Sequence, residues 1–207
     1  MKIDKLSIDG KKQSIEVLDK IFSAKVNNQL VSGSIYKLNA NFKGRKAKTK
    51  QRNEITGSTS KIYSQKGTGN ARHSSKKAPI FVGGGIAHGP KGQDNYKTRK
   101  LNKSEKKMSI ASLITEKNKS NNLIIFDDFG KKIEKTKEMF ELLKKFDANN
   151  SLLIVDTKSK DNILRSTKNI PNVKLTDANH FSAFDLVKYK KIIFTESSVK
   201  ELEKRYQ

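Results

Sequence analysis

The long apolar runs of this 207-residue chain all follow Met108, and none exceeds four residues. Leu123–Phe126 is one continuous run, ending in Asp127 and Asp128, and Leu152–Val155 is another, ending at Asp156. Val173–Leu175, ending near Asp177, and Ile192–Phe194 are shorter. Each reads as a buried strand. Helical spacings separate them. Met108, Ala111, Ser112 and Thr115 line one helix face, widened by Ile110, Leu113 and Ile114. Thr136–Lys145 carries Met139, Phe140, Leu142 and Leu143. Asp161–Thr167 follows with Asp161 as its N-cap, then Ser182–Lys188. Ser197–Arg205 closes the series, with Ser197 as N-cap and Val199 and Leu202 facing inward. Short buried strands alternating with helices predict an α/β fold, a mostly parallel sheet flanked by helices.

The first half patterns differently. KIDKLSI at the start alternates loosely through Ile3, Leu6 and Ile8 and offers one strand. Asn27–Leu38 places Leu30, Val31, Ser34, Ile35 and Leu38 at helical spacing. From Lys43 to Asn95 neither period persists, and only Ile80–Val82 suggests a short strand pairing. The expected organisation is residues 1–42 as the N-terminal part of the globular α/β domain, 43–95 as a long extended basic loop, and 96–207 as the remainder. A structureless loop of that length needs a function or partner that orders it.

Charge identifies that partner. Lys43–Lys107 holds 18 Lys/Arg against three acids, Glu54, Asp94 and Glu105, so this stretch carries +15 of the net +23. Nine of the twelve glycines fall within Lys43–Asn95, with few large apolar residues. Such a segment cannot bury enough apolar surface to offset its ordering entropy, and its cations repel one another until an anion arrives. A nucleic-acid backbone supplies that anion and releases counterions on binding. Cysteine is absent, which excludes disulfides, thiolate metal sites and a Cys nucleophile. MKIDKLSIDGKK has no apolar core of a secretory signal, and no run approaches membrane-spanning length. A basic protein on acidic membranes would need a Lys-rich helix with a bulky apolar face, and none is seen.

Gln65–His73 reads QKGTGNARH. It is not a P-loop, because Lys66 precedes Gly67, and it is not a dinucleotide fingerprint, because Gly67-Thr68-Gly69 runs on through Asn70 and Ala71 to Arg72. It is either a flexible turn with incidental charge or a nucleic-acid contact. In the second case glycines admit backbone N–H groups to phosphates, while Lys66 and Arg72 supply charge. Downstream, Ala78–Lys91 contains Gly83-Gly84-Gly85, where the backbone can pass close to another surface. Phe81, Tyr63 and Tyr96 either anchor the loop or stack on unpaired bases. His73, His88 and His180 lack a second ligand at metal spacing, so no metal or other cofactor is expected. His73 sits among cations and suits an RNA contact. Lys131, Lys132, Lys135 and Lys137 form either a solvated face or an RNA contact. Asp127, Asp128 and Asp156 cap turns or, in a rival reading, serve an α/β enzyme or accessory factor acting on nucleic acid. That rival lacks a nucleotide loop or a paired base.

QKGTGNARH, then APIFVGGGIAHGPK and LNKSEKKMSIASLI, resemble in order the bacterial large-subunit ribosomal protein family L four (universal name uL four). The upstream KAKTKQRNEITGSTSKIY, basic with a glycine-containing turn and an aromatic, fits as well. Departures are Asn70 and Val82, where a basic residue is usual, and His88, where an aromatic is. The resemblance implies a structural, non-catalytic, cytoplasmic component of the large subunit. It implies an α/β domain on the solvent side and a loop threading into large-subunit rRNA. The implied rRNA-binding residues are Lys43, Arg45, Lys46, Lys48, Lys50, Arg52, Lys61, Tyr63, Lys66, Gly67, Gly69, Arg72, His73, Lys76, Lys77, Phe81, Gly83, Gly84, Gly85 and Lys91. The implied tip, Lys66–Arg72 with Thr68, Asn70 and Ala71, would reach the nascent-peptide exit tunnel near ribosomal protein L twenty-two and influence macrolide sensitivity. Some members also bind the leader of their own mRNA.

Overall fold

A computed structural model describes residues 1–7, 11–128 and 135–206, excepting the side chain of Asn162. Ile8, Lys131 and Lys132 lie outside the described residues. The chain divides into two compact units, Met1–Asn39 with Lys100–Gln207, and Ala40–Arg99.

The first unit is an α/β sandwich. Its six strands are β1 (Lys2–Leu6), β2 (Lys12–Glu16), β3 (Leu123–Phe126), β4 (Ser151–Val155), β5 (Val173–Asp177) and β6 (Lys191–Thr195). They line up in the order β2-β1-β3-β6-β4-β5, with β1–β2 antiparallel and every other pairing parallel. The helices are α1 (Asp19–Phe22), α2 (Asn28–Lys43), α3 (Lys103–Lys119), α4 (Thr136–Lys145), α5 (Lys160–Thr167), α6 (Ala183–Lys188) and α7 (Glu196–Tyr206).

Successive side chains of a strand point to opposite faces, so the continuous apolar strands feed two cores. Ile125, Leu152, Ile154, Ile192 and Phe194 pack under α1, α2, α3, α6 and α7. Phe126, Leu153, Val155 and Ile193 pack under α4 and α5, against Met139, Leu143 and Ile163. Phe194 is fully buried between Phe22 and Phe181, edge-to-face with each at centroid separations of 6.4 and 6.3 Å.

The periodic elements appear where the pattern places them, with corrections at their ends. Asp161 lies in the first turn of α5, and Ser159 takes the cap position. Ser197 lies inside α7. The reciprocal cap there joins Thr195 and Ser198: Thr195 N–H donates to Ser198 Oγ at 2.9 Å and Ser198 N–H to Thr195 Oγ1 at 3.4 Å. Met108 is exposed, and the buried face of α3 is Ser109–Thr115. Two elements of this unit escaped the sequence: β2, whose exposed residues are Lys12, Gln13, Ser14 and Glu16, and the four-residue α1, which still buries Ile21 and Phe22.

Lys5 of β1 ties the sheet to α7. Its ammonium lies 2.6 Å from Asp127 and 2.8 Å from Glu196, and Lys200 reaches Glu196 at 2.6 Å. Hydrogen bonds to Asp127 and Glu196 push the Lys5 pKa up to about 12. Those from Lys200 and Lys5 hold Glu196 below its usual range. Stabilisation through Lys5 is therefore complete below the ordinary lysine value and lost above about pH 12. Stabilisation through Glu196 is present above the ordinary glutamate value and lost as pH falls through its lowered one. Lys5→Met is expected to cost about 2 kcal/mol at pH 7. Thermal melts should show the gap closing towards pH 3; a gap independent of pH would refute this linkage.

Candidate nucleic-acid interface

Ala40–Arg99 folds back on itself as a long irregular hairpin. Gln93 Oε1 accepts from Arg45 N–H at 3.1 Å, and Lys48 and Lys91 form an isolated antiparallel bridge. Thr49 N–H donates to Pro90 O, Ile86 N–H to Lys50 O and Ile62 N–H to Ser74 O, each at 2.9 Å. No regular strand develops, because the Lys- and Gly-rich arms have no alternating apolar face to bury. Among the described residues no large apolar side chain of this unit is buried. Phe42 and Val82 are exposed outright. Ile80–Val82 lies in consecutive turns instead of a strand: Phe81 N–H donates to Ala78 O at 3.1 Å and Gly84 N–H to Phe81 O at 2.9 Å.

The triple glycine closes these turns. A Cβ on Gly84 would collide with the Ala78 carbonyl oxygen and lie 2.9 Å from that of Phe81. One on Gly85 would collide with Arg52 N and lie 2.6 Å from its Cα. Both arms therefore meet at contact distance, through backbone alone. At the tip, Gly67 and Gly69 adopt φ of +84° and +69°, in open space. This left-handed conformation disfavours side chains and turns the chain without any supporting core. Lys66, Thr68, Asn70, Ala71 and Arg72 are all exposed there.

Aromatic rings brace the shaft below the tip. His73 packs edge-to-face against Phe81 at 5.0 Å and Tyr63 at 6.4 Å, and the Tyr63 hydroxyl donates to Ala71 O. Tyr96 donates to Ala40 O at 2.9 Å. Lys61 Nζ donates to Gln65 Oε1 at 2.7 Å and His73 O at 3.1 Å. Lys48 lies 3.5 Å from Glu54 and 3.3 Å from Asp94. The hydrogen bond it donates to Asp94 and the charge of Glu54 raise its pKa. Among the described residues it is the one candidate phosphate-binding cation with carboxylate partners. Lys43, Arg45, Lys46, Lys50, Arg52, Lys66, Arg72, Lys76 and Lys91 are exposed without one. Lys77 is half-buried, also without one.

Residues 15–205 match the model of the Ribosomal protein L4/L1 family. The chain belongs to the ribosomal protein L4/L1 family. A protein of Pelagibacter ubique is 74% identical over 206 residues, covering 100% of each chain. One from Thermoanaerobacter sp. is 36% identical over 192 residues, covering 93% of this chain and 92% of its own. One from Lachnospira eligens is 33% identical over 201 residues, covering 97% and 96%. All three are named large ribosomal subunit protein uL4. Members of the L4/L1 family are structural components, not enzymes.

The acids of the rival enzyme reading have structural employment in this L4/L1 protein. Asp127 pairs with Lys5, and Asp128 accepts from Ser197 N–H at 2.9 Å and from the Ser197 hydroxyl. Asp156 accepts from Ser159 N–H at 3.2 Å and caps the approach to α5. His180 faces solvent with Nδ1 2.5 Å from Asp177, and Lys160 lies 3.2 Å from the same carboxylate. Burial would raise the Asp177 pKa, but the hydrogen bonds from His180 and Lys160 outweigh it and lower it. Among the described residues no group of three His, Asp or Glu is placed to hold a metal. Gln93 and Gly89, whose Cβ would collide with Thr49 Oγ1, tie the arms together and escaped the sequence. Their signal exists only once the two arms are in register.

Proposed function

We propose that this chain is a structural constituent of the large ribosomal subunit in the cytoplasm, and a primary binder of its rRNA. The α/β unit docks through surface lysines. The hairpin within residues 43–95 threads into large-subunit rRNA. Its tip, Lys66–Arg72, reaches the wall of the nascent-peptide exit tunnel beside ribosomal protein L twenty-two. The leader of its own mRNA is a second RNA partner. The observation that carries this reading is the unit Ala40–Arg99 itself. It buries no large apolar side chain among the described residues, yet holds exposed cations on arms drawn together by glycine contacts. Such an arrangement is compensated by phosphates and by surfaces that approach the bare backbone.

Salt tests it. Affinity of the full chain for large-subunit rRNA should fall with a logarithmic slope of roughly 0.7–0.9 per neutralised phosphate. Replacing Lys50, Arg52, Lys76 and Lys77 together by Gln should lower that slope by about 3. Lys48→Gln, which removes a cation already paired, should barely change it. An unchanged slope in the fourfold variant would remove these residues from the interface.

A further inference from the structure

Within the hairpin, residues 55–62 and 76–83 wall a cleft of about 500 Å3. That lies within the range of roughly 300–1,000 Å3 occupied by small-ligand sites. The cleft has two chemistries. Ile55, Ile62 and Val82 make an aliphatic surface, with Val82 fully exposed. Lys61, Lys76 and Lys77 line the same cleft, and none has a carboxylate partner among the described residues. Ser58 and Ser60, their hydroxyls 2.7 Å apart, add hydrogen-bonding capacity on one wall.

Three ammonium groups repel a metal cation. An acidic peptide side chain would satisfy a lysine and leave the aliphatic surface in water. A nucleotide satisfies both halves: its base has an apolar face to lay on the aliphatic residues, and its flanking phosphates meet the lysines. The base must be unpaired, because a base inside a duplex presents no free face.

Building on the reading of the chain as an RNA binder, we infer that this cleft receives a single unpaired nucleotide of the rRNA. The base lies on Ile55, Ile62 and Val82, and the phosphates on either side lie on Lys61, Lys76 and Lys77. The site therefore selects for a bulged or single-stranded position, whereas the remaining cations of the arms recognise backbone alone.

The test compares two probes of equal charge, octauridylate and an eight-unit abasic ribose-phosphate oligomer, each titrated with the full chain. The wild type should bind octauridylate about tenfold more tightly than the abasic oligomer. Two variants isolate the cleft. Gly57→Leu fills it from the wall without adding an aromatic face for a base to stack on; Gly57 has no positive φ, and an added Cβ meets only Lys77 Cε, at 3.7 Å. Val82→Ser removes an exposed part of the aliphatic surface. Both should shrink the preference for bases and leave abasic binding unchanged. Equal wild-type affinity for the two probes, or a preference that survives both variants, would overturn the cleft while leaving backbone binding intact. Failure of both probes to bind would overturn RNA binding and the cleft together.

Discussion

Gly84→Val is expected to lower the protein's occupancy in large subunits at least tenfold when it competes with the wild type. A side chain there runs into the Ala78 carbonyl, which already accepts from Phe81 N–H, and crowds the Phe81 carbonyl, which accepts from Gly84 itself. Relief requires a backbone shift, and Gly85, one residue on, lies against the Arg52 backbone while donating to Lys77 O at 3.0 Å. The shift therefore spreads to both arms. No buried apolar cluster in this unit can absorb it. Lys48→Ala removes one exposed cation that Glu54 and Asp94 already occupy, and its effect should stay within about twofold. Mass spectrometry of large subunits from cells expressing tagged variant and untagged wild type gives the ratio. Thermal melting of the free variant should match wild type, since the α/β core is untouched. Equal incorporation of the two variants would contradict the role assigned to the glycines.

Phe194→Ala is expected to act in the other unit, and by another mechanism. The side chain is fully buried on β6, a strand paired on both sides, and contacts Phe22 of α1 and Phe181. Truncation loses the transfer free energy of the ring and leaves a cavity that three elements cannot collapse, about 3–5 kcal/mol in all. For a chain of this size the melting temperature should drop by about 10 °C. Calorimetry of the free protein measures it. A drop of only a degree or two would mean that the sheet and its helices do not melt as one cooperative body.

What could be read from the sequence follows from where burial enforces a pattern. LIIF, LLIV and IIF are buried on both faces of a parallel sheet, so each had to be continuously apolar, and β3, β4 and β6 were legible. Strand β2 faces solvent with four of its five residues exposed, so nothing forced an alternation and it was missed. The caps of α5 and α7 were misplaced because Ser, Thr and Asp stand at several adjacent positions there. Only the fold decides which of them meets a free N–H. In residues 43–95 the sequence supplied charge, glycine content and motifs but no register. That Gly85 meets Arg52, or that Ile55 and Val82 share a cleft, depends on contacts between arms that no local period encodes.

The most direct measurement is sedimentation of a cell lysate through sucrose gradients at moderate and then high salt, following this protein by immunoblot. A hairpin enclosed in rRNA is held by geometry as well as charge, and the account predicts co-migration with the large subunit at both salt concentrations. Release to the top of the gradient at moderate salt would mean that charge alone holds the protein at a surface, and would contradict the account.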